Sequence, residues 1–187
     1  MLGGVFYNCK NLSDEITIGE GTTLERMAFE GTGITKVTIG NEVNLVDNSF
    51  NNCPNINSVI IGNDVTINSS TFINCGTIES VSMGENIKIS GSPFSKSNVE
   101  KATVKSLSEA GSKAFVNIGP ALQGDIIINE GATTIGNQAF NGCSSITSVS
   151  IPSTITVIDV SAFYNCKGLK SLKLPAGLTT IGWRSIL

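Results

Sequence analysis

Five cysteines are the residues of this chain best suited to do chemistry, and each stands three positions after a phenylalanine: Cys9, Cys53, Cys75, Cys143 and Cys166. A thiol becomes a nucleophile or a metal ligand when a neighbouring base or cation lowers its pKa, and histidine most often supplies that base. The chain has no histidine, so it lacks both the usual partner of a catalytic Cys or Ser and the usual zinc ligand. The cysteines therefore predict neither an active site nor a metal site.

The sequence also lacks the other motifs that would indicate catalysis. The chain has no GxxxxGK phosphate loop and no GxSxG nucleophile elbow, and its acidic residues are scattered without repeated pairing. We therefore predict that the protein is not an enzyme and has no catalytic, cofactor-binding or metal-binding residues and no cofactor.

The charge pattern excludes further classes of partner. The chain has a net charge of −3 and lacks the clustered Lys and Arg that neutralise nucleic-acid phosphates. No apolar run in the sequence approaches the roughly 20 residues of a membrane-spanning helix. The total hides an asymmetry: residues 1–64 hold eight acids and three bases (net −5), whereas residues 131–187 hold one acid and four bases (net +3). We expect neither nucleic-acid binding nor membrane insertion.

A repeat sets the positions of these residues. The eight phenylalanines follow one another at gaps of 23, 21, 22, 22, 21, 25 and 23 residues. Cys fills the slot three after Phe in five copies, and Thr32, Ser97 and Ile118 fill it in the other three. Self-similarity at such a period is the signature of a stacked-repeat protein.

Alignment on Phe shows two further apolar patterns. The first is a short alternation of apolar and polar residues, as at Leu169, Leu172 and Leu174, which predicts a strand with one buried face. The second is an aliphatic residue five positions before Phe, such as Leu45 or Ile67, on a shorter extended segment. Equivalent strands of successive copies are expected to pair in parallel, with a rise of about 4.8 Å per repeat.

The aligned copies read LxxVxIPxxLxxIGxxAFxxC, most closely in the segments IGNQAFNGC, VSIPSTITVID and LKLPAGLTTIG. From Val5 to Ile186 the chain resembles the BspA-type leucine-rich repeats. The resemblance implies a repeat solenoid of the leucine-rich-repeat class, formally α/β but mostly strands and turns, with about eight coils and a parallel sheet on its concave face. We expect residues 1–187 to form a single solenoid domain that is irregular around 94–125, where NIGPALQG is inserted.

Stacking also bears on the interpretation of the cysteines. Cys53 and Cys75, on adjacent coils, are expected to lie about 5 Å apart, but their side chains would point in parallel rather than converge as a disulfide requires. Because Thr, Ser and Ile replace Cys in this slot, we predict buried free thiols that pack as small hydrophobic residues.

The outward residues of the predicted strands form the candidate concave binding face: Thr38, Ile60, Ser82, Thr103, Ile127, Ser150 and Lys173. The resemblance implies a non-catalytic binding or adhesion module of a cell-surface or secreted protein, with host surface, matrix or microbial proteins as partners. The alternative is a structural spacer or decoration subunit of a larger assembly, such as a fibre, spike or virion.

The two ends leave three alternatives open. The N-terminus has no secretory signal pattern, Met1 falls on the slot five before Phe6, and neither end shows a polar cap. We expect a fragment of a longer surface protein, flanking domains, or burial of the ends against other subunits. The opposite charges of the ends permit head-to-tail contacts.

Overall fold

Short parallel strands make up almost all of the regular structure. The computed structural model describes residues 4–116 and 118–186, so the slot predicted at Met1 lies outside it. In these ranges the helical element is a single 3-10 turn, Gly119–Ala121. In chain order the strands are β1 (Glu15–Ile18), β2 (Thr23–Leu24), β3 (Lys36–Ile39), β4 (Asn44–Leu45), β5 (Ser58–Ile61), β6 (Thr66–Ile67), β7 (Thr77–Ile78), β8 (Ser80–Met83), β9 (Ile87–Ile89), β10 (Asn98–Val99), β11 (Ala102–Val104), β12 (Leu107–Ala110), β13 (Gly124–Ile127), β14 (Thr134–Ile135), β15 (Ile146–Ser150), β16 (Val157–Ile158) and β17 (Thr180–Ile181).

Each coil contributes strands to different sheets, all with parallel pairing. The long-strand sheet has the order β1-β3-β5-β8-β11, and the short-strand sheet has the order β17-β16-β14-β12-β9-β6-β4-β2. The remaining pairs are β7 with β10 and β13 with β15. Equivalent residues face each other one coil apart, as Val37 faces Val59 and Leu45 faces Ile67. The predicted parallel solenoid of about eight coils is confirmed.

The phenylalanines form a column inside the solenoid. Phe50 and Phe72 are fully buried, and their ring centroids lie 5.3 Å apart with the planes 3° from parallel. Similar stacks link Phe6 through to Phe94 and, separately, Phe115 through to Phe163. The strand spacing brings identical side chains together at this distance, so a flat ring that stacks on its own copy suits the position.

Tight turns hold each ring in the column. The residue two positions after Phe is in the left-handed region in several coils, where Asn and Gly are favoured. Asparagine fills this position in four of these coils. The residues and their φ angles are Asn8 (57°), Gly31 (73°), Asn52 (54°), Asn74 (61°), Lys96 (59°), Gly142 (78°) and Asn165 (60°).

The region predicted to be irregular interrupts the long-strand sheet. Beyond β11 the pairing is reduced to a single bridge between Ala102 and Leu122, and Gly124, the first residue of β13, has a positive φ of 91°. The short-strand sheet continues, but β12 meets β14 only through Ala110 and Ile135. An insertion in one coil has therefore separated the long-strand face into two blocks.

The strand predicted through Leu169, Leu172 and Leu174 is wrong. These residues lie in a segment without strand structure, and Leu174 is 39% exposed. Among the described residues this coil has a neighbour on one side only, so backbone pairing and apolar packing are both reduced there.

We predict that replacing a central ring destabilises the protein far more than replacing the first ring. Phe72→Ala removes a fully buried side chain and should lower the free energy of unfolding by about 3–5 kcal/mol. Phe6→Ala removes a ring that is already 42% exposed and should have less than half that effect. Urea denaturation followed by circular dichroism measures both, and equal losses would contradict the column as the main source of stability.

Candidate functional site

The slot three after Phe holds a hydrogen-bond donor in several coils. The thiol of Cys75 donates to the carbonyl oxygen of Phe50 at 3.2 Å, and the hydroxyl of Ser97 donates to that of Phe72 at 2.7 Å. The thiol of Cys166 makes the equivalent bond at 3.1 Å. Each acceptor belongs to the preceding coil, so the slot connects neighbouring coils through side chains. Cys and Ser therefore share this hydrogen bond in the slot, whereas the hydroxyl of Thr32 donates to the carbonyl oxygen of Phe29 in its own coil at 2.9 Å.

Burial keeps these thiols protonated. Desolvation raises the pKa of Cys75 to about 12 and the pKa of Cys166 to about 11, and it also raises the pKa values of Cys53 and Cys143. A buried, protonated thiol is a poor nucleophile and a poor metal ligand.

All five cysteines are free thiols, as predicted, and four of them are buried. The prediction of burial is wrong for Cys9, which is exposed in the first described coil. Within residues 4–116 and 118–186, no group of three or more Cys, Asp or Glu is placed to hold a metal ion.

The long-strand face carries six of the seven residues predicted to bind. Along β5 the side chains of Val59 and Ile61 are buried while Ser58 and Ile60 face solvent, which is the alternation expected of a strand with one buried face. Ile60 is 42% exposed, which is unusual among the aliphatic residues of this chain.

Four of the predicted residues form a row across neighbouring strands. Thr38 faces Ile60, Ile60 faces Ser82, and Ser82 faces Thr103, each one strand apart. The row is therefore an exposed isoleucine flanked by hydroxyl groups at the strand spacing of about 4.8 Å. We call this row, in strands β3, β5, β8 and β11, the first block.

The other three predicted residues lie apart from the first block. Ile127 (47% exposed) faces Ser150 in the β13–β15 pair, which we call the second block, and Lys173 is exposed in the segment without strand structure. The structure thus brings four of the seven residues into one row, two into a second row, and leaves Lys173 outside both.

The long-strand face carries few charged side chains, and some of them are already paired or hydrogen-bonded to neighbouring residues. Lys36 forms a 3.1 Å ion pair with Glu15 of the preceding coil. Asp125 accepts hydrogen bonds from the hydroxyls of Ser148 (2.7 Å) and Thr147 (2.9 Å), which lower the pKa of its carboxyl group. The face therefore offers hydroxyls, isolated charges and one exposed isoleucine in each block.

An open cavity of about 370 Å³ lies on the short-strand side, where β12 and β14 separate. Ser108, Glu109, Thr133 and Thr134 line it, and Glu109 already pairs with Lys88 at 2.8 Å. Its polar lining lacks a charged group that is both buried and unpaired, so it does not identify a ligand.

The sequence did not identify one cluster of polar and aromatic residues. The guanidinium carbon of Arg184 lies 4.3 Å from the ring centroid of Trp183 and 5.8 Å from that of Tyr164. Part of the signal was in the sequence, because Tyr164 directly follows a repeat Phe and Arg184 lies two positions before Ile186, which holds the Phe slot of the next coil, but the contact depends on the direction of the arginine side chain.

These features define the class of the protein as a parallel solenoid built from stacked repeats, with its exposed residues in rows across the coils. The family described as the BspA type leucine rich repeat region, in a form with six copies, matches residues 3–121 and 88–186. The chain belongs to this family.

No curated protein matches the chain. Among solved structures, the pneumococcal vaccine antigen PcpA is similar over 90% of this chain at 14% identity, with a TM-score of 0.45. The chain spans 50% of the length of that structure. The described residues contain no helix long and apolar enough to cross a membrane.

We predict that the buried thiols make the protein sensitive to alkaline pH. The thiol of Cys75 has a reference pKa of 9.0 and a pKa of about 12 in the folded protein. Between these values the unfolded chain ionises and the folded chain does not, so stability is lost as pH rises through this window. The loss is about 1.4 kcal/mol for such a thiol near pH 10.

The measurement is urea denaturation of the wild type and Cys75→Ser at neutral pH and near pH 10. Serine keeps the donor but does not ionise, so the stability difference between the two proteins should shift towards the variant by about 1.4 kcal/mol. Cys9→Ser, at an exposed thiol, is the matched control. A difference for Cys75→Ser that does not change with pH would contradict the account.

Proposed function

We propose that this protein is a non-catalytic recognition module of a cell-surface or secreted protein, and that it binds protein partners through the long-strand face. Membership of the BspA-type family supports a repeat scaffold. The partners we propose are host surface or matrix proteins, or surface proteins of other microbes.

The single observation that carries the proposal is the exposure of Ile60 in the first block. Covering a solvent-facing isoleucine with a partner lowers the free energy of the complex, because apolar surface is removed from water. The branched isoleucine side chain also loses little rotamer freedom on binding. Thr38 and Ser82 lie on either side and can hydrogen-bond to a partner's polar groups. A flat surface of this kind suits an extended protein contact.

The composition of the face limits the affinity we expect. The seven proposed face residues include no Trp, Tyr or Arg, which are the residue types that most often dominate protein interfaces. Binding would therefore depend on the area covered and on repeated weak contacts, and multivalent display on a surface would strengthen it.

A spacer or decoration subunit in a larger assembly is the second candidate function. The observation in its favour is the short-strand sheet, which continues through eight strands while the long-strand sheet is interrupted. Such a continuous sheet makes a stiff rod. In an assembly of this kind, the opposite charges of the two ends would favour head-to-tail contacts between subunits.

We predict that Ile60→Lys abolishes or strongly weakens partner binding without unfolding the protein. The substitution places a charge in the middle of the contact and should lower affinity for a bound matrix or cell-surface protein by at least about tenfold. Surface substitutions of this type change stability by about 0.5 kcal/mol or less. The assay is binding of purified protein to immobilised extracellular-matrix proteins and to intact host or microbial cells.

Ile181→Lys is the matched control, because Ile181 is 53% exposed but lies on the short-strand sheet. Ile127→Lys tests the second block separately. If Ile60→Lys binds as well as Ile181→Lys, the long-strand face is not the binding surface. If no surface binds the wild type while the protein forms linear assemblies, the spacer function replaces the proposal.

A further inference from the structure

Arg184 lies between two aromatic rings in the turn that follows β17. Its guanidinium carbon is 4.3 Å from the Trp183 ring centroid and 5.8 Å from the Tyr164 ring centroid. Trp183 is 69% exposed and Tyr164 is half-buried. Trp, Tyr and Arg are the residue types most enriched at the energetic centres of protein interfaces, and here they are in contact.

The backbone of this turn is held by the coil beneath it. The amide of Ser161 donates to the carbonyl of Trp183 at 3.0 Å, and the amide of Phe163 donates to the carbonyl of Ser185 at 2.8 Å. Arg184 has a φ of 53°, and the equivalent slot two positions before Phe is left-handed in several other coils. The repeat geometry therefore sets the direction in which the arginine side chain leaves the backbone, and the two rings lie within cation–π distance of its guanidinium.

The segment of the chain that carries the cluster has a net positive charge. Residues 131–187 carry Lys167, Lys170, Lys173 and Arg184 against a single acid, Asp159. One carboxylate oxygen of Asp159 already accepts a bond from the amide of Val160 at 2.6 Å. Within residues 4–116 and 118–186 the ion pairs are Lys36 with Glu15 and Lys88 with Glu109, so Arg184 is not neutralised by an ion pair there.

We propose that Trp183, Arg184 and Tyr164 form a second interaction surface, distinct from the long-strand face, that binds an acidic segment of a partner protein. The guanidinium presents its N–H groups to a carboxylate in the bidentate geometry that arginine and carboxylate share. The two cation–π contacts restrain the guanidinium before binding, so less conformational entropy is lost on association. Trp183 supplies apolar area beside the carboxylate, and the net positive charge of residues 131–187 favours approach of an acidic chain.

Trp183 is the sole tryptophan, so its fluorescence reports on this surface directly. The probe is a short synthetic peptide of Glu and Asp with a central Leu, titrated at low ionic strength. The comparison peptide has the same length, with Gln and Asn in place of the acids. We expect a saturable change in Trp183 emission with the acidic peptide and none with the neutral one.

Arg184→Lys is the decisive variant, because it keeps the charge but loses the planar fork and the stacking. We expect it to weaken binding of the acidic peptide by about tenfold or more. Arg26→Lys is the matched control, because Arg26 is the other arginine of the chain and lies at the opposite end. This variant should bind like the wild type.

Four results would overturn the proposal. The first two are equal responses to the acidic and neutral peptides and unchanged affinity in Arg184→Lys. The third is tighter binding of a sulfated polysaccharide than of the acidic peptide. The fourth is a change in Trp183 emission that depends only on protein concentration, together with a dimer in sedimentation, because both would show that the surface binds a second copy of the chain. Ile60→Lys should leave peptide binding unchanged. Failure of this surface is therefore distinguishable from failure of the long-strand face.

Discussion

The spacing of parallel strands is the constraint on which the rest of this structure depends. Where the coils pair, each residue lies about 4.8 Å from its equivalent in the next coil, so a buried position there must be filled by a side chain that packs well against its counterpart. Flat rings meet this requirement in the phenylalanine column, with centroids about 5 Å apart. Aliphatic residues meet it in the strands, and a thiol or hydroxyl that donates to a carbonyl of the preceding coil meets it in the cysteine slot.

The same strand spacing divides the residues of each coil into inward positions, which maintain the structure, and outward positions, which are available for binding. Inward positions are fixed by stacking, whereas outward positions meet only solvent and can change without disturbing the column. The candidate binding residues are of this second kind, and a rigid scaffold presents them in rows. The insertion before β13 then divides the face into two blocks, each with one exposed isoleucine. Ile60 and Ile127 therefore belong to surfaces that can be altered independently.

The repeat allowed much of the fold to be predicted from the sequence. Phenylalanine spacing identified the repeat, and the alternation of apolar and polar residues identified most of the long strands and the side that faces solvent. The interruption between β11 and β13 could be located, but its geometry could not be predicted, because pairing of Ala102 with Leu122 depends on how the inserted residues fold. The strand through Leu172 was predicted wrongly, because an alternating pattern does not reveal whether a coil is covered on both sides.

Two features of the structure could not be predicted from the repeat pattern of the sequence. The donor role of Cys75 depends on a carbonyl in another coil, and a residue count shows only that small residues exchange there. The stack around Arg184 depends on a backbone angle and a side-chain direction, neither of which is encoded in periodicity. Both features become visible only when the coils are placed above one another.

The central claim is that stability comes from contacts between neighbouring coils and is weakest where those contacts are interrupted. Native-state hydrogen exchange, resolved to single amides, tests it most directly. The account predicts slow exchange in β3, β5 and β8, faster exchange in residues 118–123, and different opening free energies on the two sides of that segment. A single opening free energy shared by all strands, with residues 118–123 as protected as β5, would contradict it.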